Sequence, residues 1–354
     1  MIVINGSFLA QPLTGVQRFA IEISKKLRAI DQNIIVIAPK KAAKNPFSKE
    51  LKAVIIDDGC SFGNKQLWEQ IALPSYLEKL HSPFLLNLGN SAPFFYHNQA
   101  VTLHDTAFLR YPEFFSLSFV LYYKATIPLI LKNSKYIFTS SQFSKSEIIH
   151  FYGYADKTTV VSNAVSEALI SPQKEAVQKN ILCVGSLEPR KNLSRLVEAF
   201  LLLKTKGYRL VIIGDKAKIY SDVKIAKIAD NSDGIEFVGR VDDVRLSKYY
   251  ASSSLFVYPS VYEGFGLPPL EAQKFGCPVL ASNIPPHIEV LGDSAIFCDP
   301  LNPKDIAQKI DFILQDSVMR EKLISFGYKN SAKYDWNISA KKIYDLISGF
   351  ANEK

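Results

Sequence analysis

Short apolar runs that end in small or polar residues recur along the first half of the chain: "MIVING", "NIIVIAP", "PFLLNLGN", "AVTLHD" and "KYIFTSS". Such runs suit parallel strands buried on both faces, each with a functional loop at its carboxyl end. Between them the spacing becomes helical, as in "TGVQRFAIEISKKLRAI", and "SSQFSKSEIIHFYG" reads as a capped helix. The rhythm breaks into polar residues and a proline at 163 to 179, which marks a linker. It then restarts with "NILCVGS", "NLSRLVEAFLLL", "RLVIIGD", "IEFVGRV", "LFVYPS", "PPLEAQKFG" and "PVLAS". Strand and helix alternating twice over predict an α/β fold of two Rossmann-like, doubly wound domains with a cleft between them. A length of 354 residues also exceeds what one hydrophobic core serves. The expected domains are 1–165 and 166–332, followed by a helical tail, 333–354, that either caps the second or crosses back to the first.

Composition narrows the function classes. The chain is 47% apolar and 21% charged, as ordinary globular proteins are. Its 42 lysines and arginines against 34 acidic residues give a net charge of +8, which favours an acidic partner: nucleic acid, an anionic membrane or a phosphorylated substrate. Nucleic acid is the weakest of these, because the basic residues are dispersed and no recognition motif accompanies them. Cys60, Cys183, Cys277 and Cys298 form no paired spacing, so small buried thiols in a reducing compartment are expected and a zinc site is not. The N-terminus has the look of a strand rather than a signal peptide. The aromatic segment 114–132 is interrupted by Lys124 and Pro128, and reads either as a core helix or as an amphipathic helix on a membrane surface.

The stretch "SVYEGFGLPPLEAQKFGCPVLAS", 260–282, concentrates the chemistry. Pro268 and Pro269 suit a helix's first turn, and Gly276 suits its end. A glycine loop running into a helix N-terminus can hold phosphate, with the amides of Gly266 and Leu267 as donors. Glu271, expected in the first turn, would accept hydrogen bonds from a ribose diol, and Glu263 would reach hydroxyls on the other side. Either glutamate alone is ordinary. Together in this setting they describe a site for a ligand with hydroxyls at both ends and phosphate between, a nucleotide-sugar.

"EGFGLPPLEA" resembles the Glu–seven residues–Glu signature of retaining glycosyltransferases of the GT-B superfamily, group-1 type. "GSLEPRKN", "FVGRVDDVRLSKYY", "GCPVLASNIPPHIEVLGDSA" and "YDWNISAKKIYDL" are similar to that family's second domain. "LTGVQRFAIEI" and "VTLHDTAFLRYPEFF" are similar to the subgroup that contains bacterial mannosyltransferases of surface-polysaccharide synthesis. The resemblance implies that Arg190 and Lys191 clamp the donor diphosphate, that Glu271 binds ribose and that Glu263 touches donor-sugar hydroxyls. It places His104 in the donor-sugar pocket, with Asp105 orienting it or helping to receive the acceptor. Gly15 and Gly185 would allow close backbone approach to the ligand, and Ser141 is a weaker candidate. Val238, Gly239 and Arg240 would contact the base, and Gly264, Phe265, Gly266 and Leu267 would complete the donor site. Where the family often carries Asn-Gly-Val the chain has "SNAV", and it lacks an Asp-x-Asp triplet, so no cofactor and metal independence are expected.

What the resemblance implies, then, is a retaining hexosyltransferase acting by front-face displacement, the departing phosphate helping to deprotonate the acceptor. Donor phosphates would sit on the second domain and the acceptor on the first, with closure excluding water. GDP-mannose is the preferred donor, with UDP-glucose, UDP-N-acetylglucosamine and dTDP-rhamnose open. The acceptor would be lipid-linked or an oligosaccharide of O-antigen or capsule. The expected location is cytoplasmic, including the inner face of an anionic membrane. A nucleotide-sugar epimerase and an inactive sugar-nucleotide-binding scaffold are the alternatives.

Overall fold

The computed structural model of the chain describes residues 1–57, 65–170, 176–186, 188–214 and 234–351, so Cys60 and positions 171–175 of the linker lie outside the described residues. Two compact units emerge: Met1–Asn163 joined by the segment from Asp335 on, and Ala164–Tyr334.

The first unit's sheet comprises β1 (Ile2–Asn5), β2 (Ile35–Pro39), β3 (Val54–Ile56), β4 (Phe84–Asn87), β5 (Gln99–Thr102), β6 (Tyr136–Thr139) and β7 (Thr158–Val160). All pairs are parallel, in the order β3-β2-β1-β4-β5-β6-β7. The helix Gly15–Ile30 buries Phe19, Ile23 and Leu27 on one face. Gly15 is therefore the first helical residue, not part of a loop, because the extended Thr14 just before it is the cap. The closing helix Trp336–Ala351 packs along that helix, with the Trp336 ring tilted against Phe19 at 5.8 Å and Ser339 Oγ donating to Ser162 O at 2.7 Å.

The aromatic segment forms the helix Leu117–Lys132, with Pro128 inside it. Val120, Ile127, Ile130 and Leu131 are buried, whereas Leu117, Leu121 and Leu129 are exposed beside Lys124. Among the described residues, no helix is long and apolar enough to cross a membrane.

In the second unit, β8 (Gln178–Val184), β9 (Arg209–Ile213), β10 (Ile235–Gly239), β11 (Ser253–Tyr258), β12 (Val279–Ser282) and β13 (Ile296–Cys298) run parallel in the order β10-β9-β8-β11-β12-β13. Alternate residues feed two cores. Ile181, Ile212, Leu255 and Val257 enter one, and Leu182, Val211, Phe256 and Tyr258 the other. The period-two pleat thus explains why these strands are apolar throughout. Cys183, Cys277 and Cys298 are free and buried, and burial pushes the Cys183 and Cys298 thiols up to about 12.

Candidate active site

In a doubly wound sheet, ligands bind beyond the carboxyl ends of the two neighbouring strands from which the chain winds in opposite directions. In the second unit those strands are β8 and β11. The chain leaving β8 makes a tight turn at Pro189–Lys191, and Asn192 then adopts a left-handed conformation at φ 59°. The Asn192 amide donates to Pro259 O at 2.9 Å and Pro300 O at 2.6 Å, and the Val261 N–H donates to Arg190 O at 2.8 Å. These bonds tie the loop after β8 to the loop after β11.

Four charges meet there. Lys191 Nζ donates to Glu263 Oε1 at 2.5 Å and to the Tyr258 hydroxyl at 2.7 Å. Arg190 donates to Glu263 Oε2 at 3.2 Å and to Glu188 Oε2 at 2.7 Å. Lys191 and Glu263 are 8% and 6% exposed, so this is a buried ion pair reinforced from a second cation. Burial alone would raise the Glu263 carboxyl, but the Lys191 ammonium and the Arg190 guanidinium override it and hold it at about 2. An arginine and a lysine held at such a point supply charge-assisted donors for a ligand's phosphate oxygens.

Beyond Glu263, Gly266 sits at φ 91° and begins the helix Leu267–Lys274. A Cβ on Gly266 would lie 2.9 Å from His287 Cδ2, so glycine is required on both counts. His287 is wholly buried, and its Nδ1–H faces Ser282 O at 3.2 Å. Among the described residues its Nε2 has no hydrogen-bond partner. Burial draws His287 down to about 4 despite the Glu263 charge, so the ring is neutral at pH 7. Glu271 is the fifth helical residue, not part of the first turn, because the helix begins at Leu267 and carries no acidic residue in that turn. Its carboxylate is buried and accepts from the Tyr250 hydroxyl at 2.8 Å.

A family model described as "Glycosyl transferases group 1" matches residues 166–330, the span that holds this cluster. O-antigen chain mannosyltransferase B of Escherichia coli is 31% identical over 366 residues, covering 92% of this chain and 93% of that protein. The chain belongs to the group 1 glycosyltransferase family. It is therefore a glycosyltransferase, and the comparisons favour this over the epimerase and scaffold alternatives. O-antigen chain mannosyltransferase RfbU of Salmonella typhimurium is 28% identical over 226 residues, which is 63% of each chain. The fold matches that of Anabaena HepE, solved in complex with UDP and glucose, at a TM-score of 0.75 and 19% identity over 98% of this chain and 99% of that one. Two parallel-sheet α/β units of this kind are the GT-B glycosyltransferase fold.

The other family positions are distributed as follows. In the first unit, His104 follows β5; its Nε2–H faces Leu88 O at 3.1 Å, and Asn90 Oδ1 accepts its backbone N–H at 2.8 Å. Burial lowers its pKa, so the ring is neutral and Nδ1 is left as the acceptor nitrogen. Asp105 does not orient His104 by a hydrogen bond; its carboxylate accepts from the Ala107 N–H at 3.0 Å, opening the next helical turn. Ser141 caps the helix Gln142–Tyr152, its Oγ accepting from Ser144 N–H at 3.0 Å. A Cβ on Gly15 would meet nothing within 4 Å.

In the second unit, the Gly185 amide is taken up by Ile213 O at 3.0 Å, and a Cβ there would only touch Lys191 at 3.8 Å. A Cβ on either glycine would clash with no described protein atom. Phe265 is buried edge-on to Tyr334 at 5.5 Å. Val238 packs against the core, Gly239 is buried, and Arg240 is exposed at the end of β10. Sequence reasoning passed over Glu188, Tyr258, Tyr250 and His287. Glu188 stood in the quoted "LEPRKN" and could have been read as a counter-charge; the others gave no signal without the fold.

Proposed function

We propose that the chain is a retaining, metal-independent mannosyltransferase that transfers mannose from GDP-mannose to a lipid-linked or oligosaccharide acceptor in surface-glycan synthesis. The observation that carries this reading is the Arg190–Lys191 pair beyond β8, with Glu263 as its counter-ion. Two fixed cations would stabilise the charge that develops on a departing nucleoside diphosphate, the part a metal plays in other transferases. The bond from the anomeric carbon to phosphate oxygen breaks, the acceptor oxygen bonds to the same face, and its proton passes to the departing phosphate. The choice of mannose is supported by the names of the two relatives, both O-antigen mannosyltransferases.

Calorimetric titration with GDP, UDP, dTDP and ADP, with and without Mg²⁺, tests the donor. GDP should bind irrespective of Mg²⁺ and lose affinity in Arg190→Ala; absence of binding by any nucleotide overturns the proposal. An α-linked product from GDP-α-mannose, read by NMR, tests retention. The exposed Leu117, Leu121 and Leu129 beside Lys124 support peripheral docking on the anionic inner face of a membrane. Liposome flotation without anionic-lipid-dependent binding would remove that part.

A further inference from the structure

The rule that locates the cation cluster in the second unit also singles out one place in the first: the carboxyl ends of β1 and β4, where the strand order reverses. Asn5 and Asn87 end those strands opposite one another. Gly6 then turns the chain so tightly that a Cβ would lie 2.7 Å from Ile37 O. Over this point lies Glu69, on a π-helical turn in which the Leu73 N–H donates to Trp68 O. Such turns recur at functional sites.

Glu69 Oε1 accepts from Asn5 Nδ2 at 2.7 Å, Ser91 Oγ at 3.1 Å and Ser7 Oγ at 3.2 Å. Among the described residues, the hydrogen bonds to Glu69 all fall on Oε1 and it forms no ion pair, although the residue is 1% exposed. Oε2 is not sealed away from solvent, so it can accept from a further donor. Burial and, secondarily, the Glu69 charge raise the Tyr122 phenol; Tyr123, also raised, feels both Glu69 and Asp105. Ser91 belongs to the same loop whose Leu88 and Asn90 hold His104. The Glu69 carboxylate, two serine hydroxyls and an amide thus meet at these strand ends, next to the loop that holds His104.

The geometry points to Glu69 as the residue that receives a hydroxyl of the acceptor sugar on Oε2. This rests on the glycosyltransferase reading and assigns acceptor recognition to a residue outside the family signature. Glu69→Gln keeps a carbonyl oxygen for Asn5, Ser7 and Ser91 but removes the charge and the second acceptor. Octyl glycosides of mannose, N-acetylglucosamine and galactose would be bound to the full chain with GDP present and read by saturation-transfer NMR. At least one should bind the wild type and weaken at least about tenfold in Glu69→Gln, with GDP affinity unchanged. Binding of none to the wild type, equal binding to the variant, or a parallel loss of GDP affinity would overturn the assignment. Failure of GDP to bind the wild type would instead sink the donor reading. Should Glu69→Gln not fold, Glu69→Asp, which keeps the charge but withdraws it by one methylene, should show the same loss.

Discussion

The two units reverse their strand order in the same way but furnish the resulting site with opposite electrostatics. Beyond β8 and β11, Arg190 and Lys191 meet Glu188 and Glu263 in a network of paired charges. Beyond β1 and β4, Glu69 is held, among the described residues, by an amide and two hydroxyls. Paired cations suit a ligand that brings its own negative charge, since phosphate can replace a carboxylate. A carboxylate surrounded by neutral donors suits a ligand that brings hydroxyls. One topology therefore supports two kinds of recognition through the residues at its strand ends.

Removing each carboxylate should break the comparison most sharply. Glu263→Gln leaves Lys191 buried without its partner and should cost the second unit roughly 3–5 kcal/mol in urea unfolding. It should also reduce transfer by at least about a hundredfold.

Acid should separate the groups next. Glu263 is lowered from 4.5 to about 2, so its contribution is fully present above pH 4.5 and disappears as pH falls toward 2, about 3 kcal/mol in all. His287 is lowered from 6.5 to about 4, so the unfolded chain takes up a proton first and stability declines from pH 6.5 to 4. Unfolding of His287→Gln should be flatter across that upper window and unchanged below it. His104 is lowered by burial as well, so the first unit should also weaken as pH drops below 6.5.

A smaller effect is expected at the glycine turn. Gly266→Ala should cost about 1–2 kcal/mol for the left-handed backbone, plus the contact with His287. Adding His287→Ala should recover only the contact part, which a double-mutant cycle measures. The smallest change in stability is expected for Glu69→Gln, within about 1 kcal/mol, since no buried cation loses its partner. A cost equal to that of Glu263→Gln would erase the distinction between the two sites.

The legibility of the site follows from the range of the interactions involved. Glu263, Arg190 and Lys191 could be found because a loop motif keeps its residue types at fixed spacing. The first-turn placement of Glu271 failed because the two prolines occupy the second and third helical positions rather than opening the helix. The resemblance makes Asp105 a partner of His104 or of the acceptor, and among the described residues its carboxylate accepts from the Ala107 amide two positions on. Tyr258 and His287 come from strand and helix positions that read as ordinary core.

By itself the sequence determined the alternation of buried strands and amphipathic helices, because periodicity is local and each apolar run must be covered on both faces. It also determined the glycine–glutamate signature, whose loop chemistry depends on neighbouring residues. Only the tertiary structure decided that the final helix lies on the first unit with Trp336 against Phe19, a contact between positions far apart in the chain. It likewise decided that Glu263 is the counter-ion of Lys191 and that Glu69 stands over Asn5 and Asn87. Strand order, which no local pattern encodes, brought those residues together.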